Sequence, residues 1–469
     1  MRFPKAGILC AVAAVTGLVT VYAAPAAISE IRVDTHRILR EGADRFVGIN
    51  LNYIRDDDAN RPDAPPLASA LRELGVRWLR YPGGEKSDFY LWSRPPYSRP
   101  DPVSIGSYAD FPGKRMDFDR FIATARAAGA EPYVVVGFDS YKRTGRTEDE
   151  WLRDAVALVR YANVTRKYGV TYWEIGNENW SNRTTTPVEM ARVVGKFSRA
   201  MKAVDPSIRV GSNGSGESWW AEFLPAASRD LDFISLSLYN AGDWSGYEHW
   251  LRNPEENLVH PAQVASAAIY RYARPADRAR IRVVVDEINA VNWKKTGWDR
   301  KNSIGHALVI FDTLGRLLKE PRVIAGIVWG TRWMDDRETA RNVFYALGPS
   351  NEIMPTGRAI ELWGRFLRQR IVASSGGGEF VSSFASTSSD SQSLVVWILN
   401  RGLSPARDVS IAVTSPVRYA RARAVCFSGK GSDDISPTWS EGGSYGVVGN
   451  RLAGLTAPGT SITVVEFYP

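Results

Sequence analysis

Cysteine and histidine are scarce in this chain, with two and four copies among 469 residues. Cys10 lies in an apolar N-terminal stretch. Cys426 lies in the strand-like run Arg423-Ala424-Val425-Cys426-Phe427, where a buried, inert thiol is expected. If Cys10 leaves with a leader, no internal disulfide can form and the fold rests on its core alone. His36, His249, His260 and His306 show no metal-ligand spacing, so neither a metal nor a cofactor is expected. There is no Gly-x-Ser-x-Gly elbow and no phosphate-binding loop, which removes two common hydrolase and nucleotide-dependent chemistries. No basic run with interleaved aromatics points to nucleic acid. Past the N-terminus, no apolar run is long enough to cross a bilayer.

What is present begins with Arg2 and Lys5, an apolar stretch from Ala6 to Ala23, and small residues at Ala23, Ala24, Ala26 and Ala27. That is the layout of a cleavable secretory signal over residues 1–26, with an uncleaved anchor helix as the alternative. The expected location is secreted or periplasmic. Losing Arg2 and Lys5 with the signal takes the net charge from +8 to +6. Such an excess suits an acidic polysaccharide or an anionic cell surface, and equally plain solubility. The 44% hydrophobic and 23% charged shares are those of a globular protein, and the length suggests two or three domains.

Strand-like and helix-like segments alternate over residues 44–370. Eight runs read as strands: they begin near Phe46, Val76, Pro132, Val170, Ile208, Phe233, Arg282 and Val323. Between them, Phe118, Phe121, Ile122 and Ala125 share one helical face, and Gly129 is placed to end that helix. Leu152, Ala155, Val156, Val159 and Ala162 repeat the pattern, as do Val188, Ala191, Val194 and Phe197 after Pro187. Eight such units predict a (β/α)8 barrel with enlarged loops; a doubly wound open sheet is the runner-up, without its Gly-rich fingerprint. After Ile371 the texture changes. Ser374-Ser375-Gly376-Gly377-Gly378 reads as a turn, and residues 371–469 as a small all-β sandwich with strands at 379–385, 394–399, 408–413, 420–427 and 461–467. Residues 27–43 are expected to add a strand or two to it.

Two glutamates carry the chemistry. Trp173-Glu174-Ile175-Gly176-Asn177-Glu178 ends the fourth strand and Val283-Val284-Val285-Asp286-Glu287 ends the seventh. Carboxyl ends of barrel strands are where such folds place their reactive groups. A retaining glycosidase needs two carboxyls about 5–5.5 Å apart, one protonating the leaving oxygen and one attacking the anomeric carbon. Glu178 and Glu287 are 109 positions apart in sequence, yet two strands of one barrel can bring them together. Asn177 is suited to bind a sugar 2-hydroxyl, and Tyr239, ending the sixth strand, to hydrogen-bond Glu287 and hold it ionised. Strand alternation puts Glu174 on the side of Glu178, in a lower layer, and turns Asp286 away towards the helices. Sixteen tryptophans suit a carbohydrate ligand, since indole faces stack on sugar rings. Trp92, Trp180, Trp219, Trp220, Trp244, Trp293, Trp298 and Trp333 fall in expected strand-to-helix loops, and Trp329 is the best placed to floor the sugar site. Asp56-Asp57-Asp58 reads as a cation site or as a solvated acidic turn.

Trp173-Glu174-Ile175-Gly176-Asn177-Glu178 and Leu79-Arg80-Tyr81-Pro82-Gly83-Gly84 resemble the signatures of glycoside hydrolase clan A, and most closely those of family 51, the α-L-arabinofuranosidase type. Asp232-Phe233-Ile234-Ser235-Leu236 leading to Tyr239 resembles the clan's sixth strand. The resemblance implies Glu178 as acid/base, Glu287 as nucleophile, Arg80 as a residue shaping the site, and retention of configuration. Sugar-reading positions depart from the pattern: Glu85 stands where family 51 carries Asn, Asn52 where it carries Glu, and Ser237 where it carries His. A bacterial surface polysaccharide is therefore as fitting a substrate as an arabinofuranoside. Two competing classes are a transglycosylase using the same residues and a non-catalytic carbohydrate-binding barrel.

Overall fold

The computed structural model describes residues 30–138, 143–181, 185–254, 256–291, 297–299, 301–333 and 344–469; the expected signal segment lies outside them. Eight strands form a closed barrel: β1 (Val47–Asn50), β2 (Trp78–Tyr81), β3 (Glu131–Val136), β4 (Tyr172–Ile175), β5 (Arg209–Asn213), β6 (Phe233–Tyr239), β7 (Arg282–Asn289) and β8 (Val323–Val328). Neighbours are parallel, and β8 closes on β1 through Gly326 and Val47. Each run is buried on both faces, which is why it reads as continuous β-branched sequence rather than alternation. The lower interior is filled by Trp78, Tyr133 and Phe233 with Val135, Val284, Ala325 and Ile327. Glycines on adjoining strands make room for these rings. A Cβ on Gly48 would stand 2.6 Å from that of Trp78, and one on Gly211 would enter the Phe233 ring.

The helix Phe118–Ala128 buries its expected face and ends at Gly129 in the left-handed region, φ 73°. On two other helices the expected face is buried in most positions but not in all. In Glu148–Val159 the buried positions are Trp151, Asp154, Ala155, Leu158 and Val159, leaving Leu152 and Val156 half-buried. In Pro187–Val204 the core side is Met190, Ala191, Val193, Val194, Phe197 and Met201, while Val188 is 57% exposed.

The rest is one nine-stranded, mostly antiparallel sheet, running Thr438–Gly446, Arg421–Ser428, Ser461–Tyr468, Leu394–Asn400, Val381–Thr387, Arg370–Gly376, Glu30–Arg40, Ala406–Thr414, Arg451–Ala457. Ser374, Ser375 and Gly376 do not form a turn; they pair with Val33, Arg32 and Ile31. Small polar residues have weak strand preference, and the ladder offered by Glu30–Arg40 overrides it. That strand also pairs, in parallel, with Ala406–Thr414. One face of the sheet packs on the barrel's helices. Trp397 lies 4.5 Å from Trp363, which stacks on Phe311 at 4.7 Å, and each indole N–H donates to a backbone carbonyl at 2.9–3.0 Å.

Candidate active site

At the carboxyl ends of the strands a single guanidinium gathers the polar groups. Arg80, on β2, is fully buried. Its Nε and Nη2 donate to Glu174 Oε2 at 3.0 and 2.8 Å, and Nη2 also donates to Asn177 Oδ1 at 2.8 Å. Nη1 donates to Asn50 Oδ1 at 3.0 Å and to Glu287 Oε1 at 2.9 Å. Burial alone would strip the proton from such a group. The carboxylates of Glu174, Asp286 and Glu287 more than offset it and hold the guanidinium charged. Ser235 Oγ completes the lower layer by donating to Glu174 Oε1 at 2.5 Å.

Asp286 does not point to the helices. β7 pairs Val285 with Leu236 of β6 and resumes with Glu287 opposite Ser237, so Asp286 is the extra residue of a β-bulge. The bulge turns two consecutive carboxyls inward, and Asp286 Oδ2 lies 3.4 Å from Arg80 Nη2. Asn50 Nδ2 fixes it by donating to the Asp286 carbonyl at 2.7 Å. Burial, then the charge of Glu174, raises the Asp286 carboxyl well above the usual range. Glu287 is buried too. Burial pushes it up, against the pull of Arg80 and of the Tyr239 hydroxyl, which donates to Glu287 Oε2 at 2.6 Å. Both donors favour the carboxylate.

Glu178 arrives by another route. β4 ends at Ile175, after which Gly176 and Glu178 itself take positive φ, 70° and 44°. Asn213, at the end of β5, pins this turn: its amide donates to the Gly176 carbonyl at 3.0 Å and accepts the Asn179 N–H at 2.7 Å. A non-glycine residue in the left-handed region stores strain, and here it aims a side chain. Gly176 has no alternative, because a Cβ there would run into Asn179. Burial first, then the charge of Glu287, raises Glu178 to about 8, with the Ser237 hydroxyl opposing. Tyr239 is raised by burial first, and then by the charges of Glu287 and Glu178.

Asn177, buried, has its side-chain oxygen held by Arg80. Glu85 sits at the rim, accepting from Arg143 Nη1 and Tyr108 OH, each at 3.0 Å. Asn52 is turned into its own loop: Oδ1 accepts the Ile54 N–H at 3.2 Å and Nδ2 donates to the Arg332 carbonyl at 3.3 Å. Trp329 follows β8 with its ring against Gly84, and the Glu287 carboxylate lies 3.0 Å from where a Gly84 Cβ would be. Trp180 is half-buried against the barrel core, and Trp293 lies outside the described residues. Trp92, Trp219, Trp220, Trp244 and Trp298 are buried, and Trp219 and Trp220 belong to the helix Gly216–Ala227 rather than to a loop.

Asp56-Asp57-Asp58 is a solvated acidic turn only at Asp58; Asp56 and Asp57 are buried. Asp56 is closed by Arg332 Nη1 and Thr331 Oγ1, each at 2.5 Å, Asp57 by Arg120 at 2.7 Å, and Asp58 accepts the Leu67 N–H at 2.9 Å. No metal-ligating cluster occurs among the described residues, and none of their helices is long and apolar enough to cross a membrane. Sequence reasoning missed Asn50, Asn213, Ser235 and Lys86. For the two asparagines there was a signal: a polar residue ending a strand of apolar ones.

No protein-family model matches the chain. It is 29% identical over 192 residues to a protein named probable α-L-arabinofuranosidase C of Aspergillus clavatus, covering 36% of this chain and 35% of the relative. To an intracellular exo-α-(1→5)-L-arabinofuranosidase of Bacillus subtilis it is 25% identical over 256 residues, half of each. The chain thus spans about a third to a half of the curated relatives it matches. In fold it is similar to the family 51 α-L-arabinofuranosidase of Thermotoga petrophila, with TM-score 0.72 and 20% identity over 93% of this chain and 99% of that one. The likeness to clan A, and within it to the family 51 α-L-arabinofuranosidases, thus holds over part of the chain in sequence and over nearly all of it in fold.

Proposed function

We propose that this chain is a retaining glycoside hydrolase acting on an oligo- or polysaccharide. The observation that carries the reading is the divergence of the two carboxyls: Arg80 and Tyr239 donate to Glu287, whereas Glu178 is raised to about 8. Paired groups with protonation driven apart define an acid and a nucleophile. Glu287 attacks the anomeric carbon while the Glu178 carboxyl gives its proton to the departing glycosidic oxygen. A glycosyl ester on Glu287 results. That ester removes the charge that raised Glu178, so the now-ionised Glu178 is ready to take a proton from the incoming water. Water attacks the same carbon, the ester breaks, and configuration is retained. The Asn177 amide is suited to the sugar 2-hydroxyl.

The names of the relatives make an α-L-arabinofuranoside the first substrate to test. Glu85, Asn52 and Ser237 argue for a different sugar, because they alter the groups that read hydroxyls. Export through the N-terminal leader belongs to the same proposal, and sequencing the mature N-terminus tests it. Hydrolysis is tested by incubating the protein with 4-nitrophenyl α-L-arabinofuranoside, a panel of other aryl glycosides and bacterial polysaccharides. The first-formed anomer is read by proton NMR. Retained configuration on any of these is the expected result. An inverted product, or none from the whole panel, would overturn the reading.

A further inference from the structure

Lys86 is a lysine where lysines rarely are. It is only 1% exposed, and it follows the turn that carries Gly83 and Gly84. Its ammonium sits 4.4 Å from the centre of the Trp329 ring and 4.7 Å from that of Trp333. Among the described residues, no carboxylate or carbonyl oxygen accepts a hydrogen bond from it. The charged groups acting on it, among the described residues, are Glu287, Asp56 and Glu85, which favour its charge, and Arg80, which opposes it. None is free to serve as its partner. Glu287 is held by Arg80 and Tyr239, Asp56 by Arg332 and Thr331, and Glu85 by Arg143 and Tyr108.

A buried cation without a partner is costly. Aromatic faces repay part of that cost, but they accept none of the ammonium's three N–H bonds in the way an anion does. Burial lowers the Lys86 pKa to about 8, as expected of a cation awaiting its counter-charge. The place where that charge would arrive is defined by what surrounds it. Trp329 carries the Lys86 ammonium on its ring and lies against Gly84, beside the Glu287 carboxylate, so an anion on Lys86 would belong to a group bound close to Glu287. The chain's net charge of +8 favours the approach of such a ligand.

We propose that Lys86 reads a carboxylate on the sugar bound beside Glu287, and that the substrate is a glycan containing uronic acid. This rests on the glycosidase reading and narrows it. The bland alternative makes Lys86 a second counter-charge for Glu287, indifferent to what the sugar carries.

The two are separated by binding rather than turnover. Glu178→Gln should slow cleavage of unactivated oligosaccharides enough to measure binding and, at pH 6.5, below the value near 8 to which Glu178 is raised, leave the charge around Glu287 unchanged. Into this protein are titrated oligosaccharides containing glucuronate or galacturonate, and the same preparations after carboxyl reduction, with calorimetry as the readout. The acidic member of at least one pair is expected to bind roughly ten- to a hundredfold more tightly, the worth of one charge-assisted hydrogen bond. Adding Lys86→Met should collapse that ratio towards one, and adding Lys86→Arg should keep most of it. A ratio near one in every pair with Lys86 intact, or a ratio untouched by Lys86→Met, overturns the inference. Loss of hydrolysis in the parent protein would instead sink the proposed function and leave the binding ratio standing.

Discussion

Glu178 and Glu287 stand at the ends of two strands of one barrel, yet they are delivered and treated in opposite ways. β7 brings Glu287 to a cation and a phenol through a bulge that adds a residue to the strand. β4 stops short, and Glu178 comes from a left-handed turn, with burial and the charge of Glu287 as the leading influences on it. The difference shows that the protonation of a carboxyl here is decided by what meets it, since burial pushes both upward. Glu287 is met by donors to its charged form. Glu178 is met mainly by a like charge.

The comparison breaks most completely at Glu287. Glu287→Gln keeps the shape and removes the proposed nucleophile, so turnover of the best substrate should fall about 10⁵-fold or more. Steady-state assay checks it, and near-normal hydrolysis would falsify the assignment. Glu178→Ala is expected to cost about 10²–10⁴-fold on substrates with poor leaving groups. It should spare activated aryl glycosides and gain from added azide, seen as a glycosyl azide by mass spectrometry. A uniform loss across leaving groups speaks against a proton donor.

Tyr239→Phe removes one donor from Glu287 and leaves the other. About a ten- to hundredfold fall in kcat/KM is expected, and the acid limb of its pH profile should move upward because the ionised form has lost support. If only stability changes, the hydroxyl is structural. The smallest effect sharpens the comparison instead. With Glu178 as the proposed acid, the rate should decline as pH rises through about 8. In the Glu287→Gln protein, where the like charge is gone, carbon NMR of Glu178 should show titration below that value. An unchanged titration means that the glutamates do not sense each other.

Much of this was legible because continuous apolar runs ending in carboxyls mark barrel strands and their chemical ends. Tyr239 was legible for the same reason, closing such a run, whereas Arg80 came only from the resemblance to clan A. The bulge at Asp286 was not. One added residue leaves no trace in Val-Val-Val-Asp-Glu, and strict alternation sent its side chain the wrong way. Gly376 and its serines were misread because local preference was weighed without the partner strand, which comes from the far end of the sequence. Lys86 escaped notice since a lysine after a Pro-Gly-Gly turn reads as solvated, and only the indoles folding over it reveal otherwise.

The strand Glu30–Arg40 lies between Arg370–Gly376 and Ala406–Thr414. Among the first described segments to be synthesised, it is thus among the last to find its neighbours, with the whole barrel made in between. Until then both its edges are open to any other extended chain. Late truncations should therefore cause aggregation at the amino end, far from the lesion, even where the barrel itself has closed.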